Sequence, residues 1–197
     1  KVSPNSFNAR VALARLYFDS GNAPLAEKEF LAAQRLKQLD ETDFVKLIES
    51  LSLQAKHKDV LQLATDHQEF NHNPLVTIVY SQSLAANGEN DKANKLLIEL
   101  SDTIEEDLYN YVHALTNVIE GQLNHALKLV QEQNQRASID GSLLLEAQLL
   151  AATGKIEQSL PILKSLKKNR PNHPTYHLMY ANNLVKTKHF DEAKPLI

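Results

Sequence analysis

Apolar residues recur along this chain at three- and four-residue steps, in helix-length stretches broken by short polar turns. That spacing marks one buried stripe per stretch and predicts amphipathic α-helices throughout. The turns themselves are periodic. Asp19-Ser20-Gly21, Ala86-Asn87-Gly88, Ile119-Glu120-Gly121 and Ala152-Thr153-Gly154 place glycine at 21, 88, 121 and 154, with gaps of 67, 33 and 33. The first gap is 34 plus 33, so a turn is expected at Ala55-Lys56-His57, and one further period falls on Lys188-His189-Phe190. Four of the five glycines therefore share one structural position. A period in this range is the signature of a repeat array, and it decides the architecture before any other feature.

The residues around each turn recur as well. Five positions after it the residue is small: Ala26, Ala93, Ala126, Ser159 and Ala193, with Val60 bulkier. Seven before it come Ala14, Ser81, Ala114, Ala147 and Ala181, with Ile48 the exception. Four before it stand Tyr17, Leu51, Leu84, Leu150 and Leu184, where Asn117 departs from the pattern. Nine after it stand Phe30, Leu97, Val130 and Leu163, with Ala64 shrunken. Each unit reads as helix A, a turn and helix B, with small residues where A crosses B. Glycine supplies the left-handed residue that ends helix A. Pro4, Pro74 and Pro174 stand at the mouths of A helices, where a missing amide hydrogen is harmless. Pro171 is a stop after the fifth B helix. Pro161 and Pro195 lie about one turn into a B helix and are expected to bend it.

A 33–34-residue helix–turn–helix unit with this small/large code resembles the tetratricopeptide repeat. The first unit fits best, through Leu13, Ala14, Tyr17, Gly21, Ala26, Phe30 and Ala33. The repeat-defining positions are Ala14, Tyr17, Gly21, Ala26, Gly88, Ala93, Gly121, Ala126, Gly154 and Ala193. The family's usual Trp is absent, so the likeness rests on spacing. Ankyrin repeats share the period but carry a Thr-Pro-Leu-His-type motif that is missing here. The resemblance implies an all-α, right-handed superhelical solenoid of about six repeats. These run approximately over 7–40, 41–73, 74–106, 107–139, 140–173 and a truncated 174–197, forming a single array over 1–197. Lys56 to Leu61, the Asn73-Pro74 opening and Ala26-Glu27-Lys28-Glu29 look like the bacterial lipoproteins with such repeats that accompany PEP-CTERM and exopolysaccharide export systems. That likeness favours the periplasm or cell envelope over the cytoplasm.

Composition narrows the function classes. The 197 residues are 43% hydrophobic, with a net charge of −3, so neither a membrane protein nor the basic footprint of a nucleic-acid binder is expected. No stretch approaches the roughly 20 apolar residues that span a bilayer. There is no cysteine, which removes disulfides and thiolate metal sites. Lys1 to Arg10 is polar, so no signal peptide is expected within it. Phe190 to Ile197 reads as a helix without cap or stop, so the chain is expected to be an excerpt cut inside a repeat. That end is expected to pack on neighbouring repeats, self-associate or fray.

In the family the A helices line a concave groove that binds peptides or helices. The groove candidates here are Arg15, Phe18, Val45, Glu49, Ile78, Gln82, Tyr111, Leu115, Leu144, Gln148, Leu178 and Asn182. Arg15, Glu49, Gln82, Leu115, Gln148 and Asn182 share one repeat position. Its three amides are able to hold an extended backbone, or else are ordinary solvated polar residues. Phe18, Val45, Ile78, Tyr111, Leu144, Leu178 and Val185 form an apolar floor if exposed, or core if buried. A carboxylate clamp for acidic chain ends needs Lys, Arg and Asn on successive A helices. The first three units offer Val11, Arg15, Lys46, Leu75 and Val79, which is too few cations.

No catalytic, metal or cofactor site is expected. His173 and His177 have a chelating separation, but Pro174 intervenes and no third ligand is placed. His57 and His189 lie in turns, and His113 is on a packing side. Glu105-Glu106-Asp107 suits a helix N-terminus, and Lys164, Lys167, Lys168 and Arg170 suit the end of a B helix. No phosphate loop or nucleophile elbow occurs. The expected function is a protein-interaction scaffold holding a peptide or helix of a protein partner, in a bacterial envelope assembly or export system. The alternative is a regulatory or spacer domain of a larger enzyme or signalling protein.

Overall fold

Helix starts are set locally. Asn22 and Asp40 cap their helices by accepting the backbone N–H of Leu25 and Asp43, and Ser6 caps the first by accepting that of Ala9. Pro74 and Pro174 open two others. The computed structural model describes residues 6–104 and 106–196. Among these there are twelve α-helices and no strand: α1 (Phe7–Asp19), α2 (Ala23–Gln34), α3 (Glu41–Ser52), α4 (His57–Asp66), α5 (Pro74–Ala86), α6 (Asn90–Ser101), α7 (Glu106–Ile119), α8 (Leu123–Arg136), α9 (Asp140–Ala152), α10 (Ile156–Asn169), α11 (Pro174–Lys186) and α12 (Phe190–Ala193). Short 3-10 turns follow α4 at Gln68–Phe70 and α12 at Lys194–Leu196. Pro4, Glu105, Ile197 and the side chains of Glu106 and Asp107 lie outside what is described.

Six turns share one geometry. Gly21, Gly88, Gly121 and Gly154 have φ between 76° and 84°, and Ala55 (φ 56°) and Lys188 (φ 64°) take the same left-handed conformation. The residue after each turn donates its N–H back to a carbonyl five residues earlier, as in Asn22 to Tyr17 (2.8 Å), Lys56 to Leu51 (3.1 Å) and Lys155 to Leu150 (2.7 Å). This closure satisfies the orphan carbonyls of the ending helix. The two non-glycine residues accept a left-handed backbone that costs an L-residue roughly 1–2 kcal/mol.

The chain divides into two compact units, Lys1–Ala93 and Asn94–Ile197, with the boundary inside α6. In the first, α1 packs on α2 and α3, α3 on α4 and α5, and α4 on α5. Its core joins Ala14, Phe18, Ala26, Phe30, Phe44, Leu47, Ile48, Val60, Ala64 and Val76. In the second, consecutive helices from α7 to α12 pack in order. Ala147, Leu163, Tyr180, Leu184 and Ala193 share one core cluster there. The small residues five after each turn are all buried: Ala26, Val60, Ala93, Ala126, Ser159 and Ala193. Burial at a helix crossing leaves no room for a longer side chain.

One expected helix is shorter than its sequence pattern. The last B helix ends at Ala193 and passes into a 3-10 turn containing Pro195. Proline has no N–H to donate and its ring opposes the preceding turn, which disfavours continued α-helix. Pro161 is tolerated within α10.

Candidate functional site

The A-type helices α1, α3, α5, α7, α9 and α11 carry the twelve groove candidates. In the first unit, α1 and α3 are joined by charge. Arg15 on α1 grips Asp43 on α3 with two hydrogen bonds, Nε to Oδ1 at 2.6 Å and Nη2 to Oδ2 at 2.9 Å. Asp43 is 1% exposed, while the Arg15 side chain is 45% exposed. The hydrogen bond to Asp43 holds the guanidinium pKa above its ordinary value. Asp40 adds a third oxygen at 3.6 Å. One turn along, Lys46 pairs with Asp19 at 3.1 Å and lies over the Phe18 ring, 4.4 Å from its centroid. Both cations that a carboxylate clamp would need are thus engaged within the chain. Glu49 is half-buried and engaged as well.

The apolar candidates separate by burial. Phe18, Val45, Ile78, Tyr111 and Leu115 are buried and act as core. Leu144 is half-buried against the Ala147–Leu163 cluster. Leu178 and Val185 on α11 are exposed. The amides divide differently. Gln54, Gln131, Gln133, Asn134 and Asn183 all bond within the chain. Asn134 and Gln131 on α8 both donate to Glu146 on α9, at 2.7 and 3.2 Å. Gln82, Gln148 and Asn182 form no side-chain hydrogen bond among the described residues, and Gln148 and Asn182 are exposed.

The second unit's A-type face therefore offers Gln148 on α9, with Asn182, Leu178 and Val185 on α11. Positions 178, 182 and 185 lie three and four residues apart, so they share one stripe of the helix. The stripe combines amides that both donate and accept with two apolar anchors. Its chemistry suits an extended or helical protein segment rather than a reaction.

Most of the histidines are occupied or enclosed, whereas His125 is exposed. His173 is fully buried and stacks on Tyr176, with ring centroids 3.6 Å apart and planes 4° from parallel. Burial pushes its pKa down to about 4, and neither ring nitrogen has a hydrogen-bond partner. His177 directs Nε2 to the Pro171 carbonyl at 2.5 Å. No group of three metal-ligating side chains occurs among the described residues. His57 Nδ1 meets Ser83 Oγ at 3.3 Å, and His189 Nδ1 meets Thr187 Oγ1 at 2.9 Å. His113 is half-buried beside Tyr109, its Nε2 enclosed without a partner.

Sequence reasoning missed one cluster. His67 stands between Glu69 (Nδ1 to Oε1, 3.1 Å) and Gln34 (Nε2 to Nε2, 2.6 Å), against Phe44 and Phe70. Both ring nitrogens are held by neighbours and no nucleophile adjoins them, so the cluster ties α2 to the segment after α4. A His-x-Glu pair was its only sequence signal. The cations near the end of α10 are partly used too: Arg170 pairs with Asp140 at 2.8 Å, and Lys167 lies over Tyr180. No helix among the described residues is long and apolar enough to cross a membrane.

No family model and no curated protein sequence matches the chain. Solved structures do match in shape. A thermophilic tetratricopeptide-repeat protein from Thermus thermophilus aligns at a TM-score of 0.66 and 13% identity, over 91% of this chain and 100% of that one. A tetratricopeptide-repeat protein from Parabacteroides merdae aligns at 0.50 and 17%, over 96% and 77%. The pilF protein of Pseudomonas aeruginosa aligns at 0.50 and 16%, over 93% and 83%. At such identities the likeness is one of fold. The chain is a helical repeat solenoid of the tetratricopeptide type.

Proposed function

We propose that this chain is a six-repeat scaffold that holds a segment of a protein partner against its A-type helices and catalyses nothing itself. The observation that supports this most directly is the state of the amides. Gln148 and Asn182 stay exposed and unbonded, whereas Gln131, Gln133, Asn134 and Asn183 bond within the chain, and Leu178 and Val185 lie beside Asn182. An amide can accept and donate to a passing backbone whatever its side chains, and exposed leucine and valine supply anchors. Gln82 on α5 plays the same part in the first unit. Arg15, Glu49 and the buried apolar candidates position the helices rather than touch the ligand.

The finer reading places the scaffold in a bacterial envelope system for surface polysaccharide or protein export, as a periplasm-facing lipoprotein. The Lys56–Leu61, Asn73-Pro74 and Ala26–Glu29 segments support it. The competing reading is a spacer or regulatory array beside a catalytic domain. Selection of displayed peptides on the wild-type chain, with counter-selection on Gln148→Ala/Asn182→Ala, separates scaffold from spacer. Scaffolding yields peptides that the double variant fails to retain. A spacer yields no peptide family, or one that both proteins hold equally.

A further inference from the structure

The turn between α5 and α6 differs from the other glycine turns in chemistry rather than in shape. The residue before the left-handed glycine is Ser20, Glu120 or Thr153 in three of them and Asn87 in the fourth. Asn87 is also the sole asparagine in the sequence that a glycine follows. Both Asn87 and Gly88 are exposed. Among the described residues, nothing lies within 4 Å of the position that a Gly88 Cβ would take.

That dipeptide is reactive for a geometric reason. The backbone nitrogen of the next residue can reach an asparagine Cγ, and the bond between them closes a five-membered ring. A Cβ on the next residue crowds that ring, and glycine has none. Two hydrogen bonds hold the reaction in check here. Asn87 Nδ2 donates to the Ser83 carbonyl at 3.1 Å, and the Gly88 N–H donates to the Ala85 carbonyl at 2.9 Å. Both close on the last turn of α5, so one fraying of that helix end releases both. Helix ends fray and open locally more readily than helix interiors.

We propose that Asn87 is a self-modification site, at which the folded chain converts its own amide into aspartate and isoaspartate. The Gly88 nitrogen gives up its proton to solvent and bonds to Asn87 Cγ, and Nδ2 leaves as ammonia. Water then opens the cyclic imide. Attack at Cγ restores the ordinary chain, with an aspartate at position 87. Attack at the main-chain carbonyl carbon of residue 87 leaves isoaspartate, in which the chain runs through the side chain and is one methylene longer. Either product weakens the turn. A carboxylate at the end of α5 meets the negative end of the helix dipole and has no hydrogen to donate to the Ser83 carbonyl. The longer chain also displaces the Glu89 N–H, which closes the turn on the Leu84 carbonyl at 2.9 Å. The reaction needs no partner and does not depend on the proposed peptide site.

Peptide mapping by mass spectrometry tests this on the folded 197-residue chain, incubated at mildly alkaline pH beside a sample unfolded in urea. In the folded chain the peptide holding residues 87 and 88 should change from amide to acid ahead of every other asparagine. Isoaspartate should be the larger product, scored by enzymatic methylation of its free α-carboxylate. The aged wild type should acquire a lower-melting fraction that an equally aged Asn87→Gln variant lacks. An Asn87 that stays an amide in the folded chain while it converts in urea overturns the proposal. Earlier conversion at another asparagine of the folded chain does so too. Conversion that leaves the two aged proteins melting alike overturns the weakening of the turn.

Discussion

The α1–α3 face of the first unit and the α9–α11 face of the second stand at equivalent repeat positions but differ in what their polar groups do. On the first, Arg15, Asp43, Lys46 and Asp19 satisfy one another, and Asp43 is buried under its guanidinium. On the second, Gln148 and Asn182 have no partner among the described residues, and Leu178 and Val185 are open. Charged side chains at a groove position do not by themselves make a binding site. Where they neutralise one another they clip neighbouring repeats together. Availability, rather than residue type, distinguishes the face that can receive a partner.

The largest effect should come from breaking the clip. Arg15→Ala leaves the Asp43 carboxylate enclosed without its cation and should destabilise by about 2–3 kcal/mol, less than for a fully buried pair because Arg15 is half exposed. Chemical denaturation measures this, and Gln148→Ala/Asn182→Ala should fall within about 0.5 kcal/mol of wild type in the same assay. A comparable loss in both would erase the contrast between the faces.

Helix crossings, in contrast, should behave alike in both units. Ala26→Leu and Ala126→Leu each force a larger side chain into a fully buried crossing and should destabilise by roughly 1–3 kcal/mol. Unchanged melting in either would contradict the register.

The second unit also carries an acid-sensitive point. His173 has an ordinary pKa near 6.5 when unfolded and about 4 when folded, so the unfolded chain binds the extra proton first as pH falls. Its influence is absent above pH 6.5, grows down to about pH 4 and then levels off. At about pH 5 it should lower stability by about 2 kcal/mol relative to about pH 7. His173→Phe should flatten that part of the profile, as denaturation at the two pH values would show.

The smallest effects sit in the turns. Ala55→Gly should stabilise the first unit, and Gly154→Ala should destabilise the second, each by about 1 kcal/mol. Open space surrounds the Gly154 Cβ position, so the loss is backbone strain alone. Equal melting temperatures for either variant and wild type would count against the left-handed turns at 55 and 154.

Much of the fold was legible because its signal is local and repeated. A glycine in four of the six turns sets the period, and small residues at two positions in most units mark the crossing. The period also located the turns at Ala55 and Lys188 without glycine, because the neighbouring pattern continued through them. The candidate site was less legible because burial and pairing are not local. Nothing in the spacing tells that Arg15 meets Asp43, 28 residues on, or that Tyr111 is buried while Leu178 is open. The spacing of His173 and His177 gave no sign that the His173 ring is enclosed against Tyr176. Pro195 was visible, but Pro161 stands at the same repeat position within α10, so the pattern alone did not tell which helix would pass into a 3-10 turn.

The central claim is that the unbonded amides of the second unit hold a partner's backbone. Calorimetric titration of one display-selected peptide into wild type and into Gln148→Ala/Asn182→Ala tests it most directly. The account predicts affinity weakened by roughly tenfold or more in the double variant, about 1.4 kcal/mol, with an unchanged melt. Equal affinity in the two proteins would contradict it.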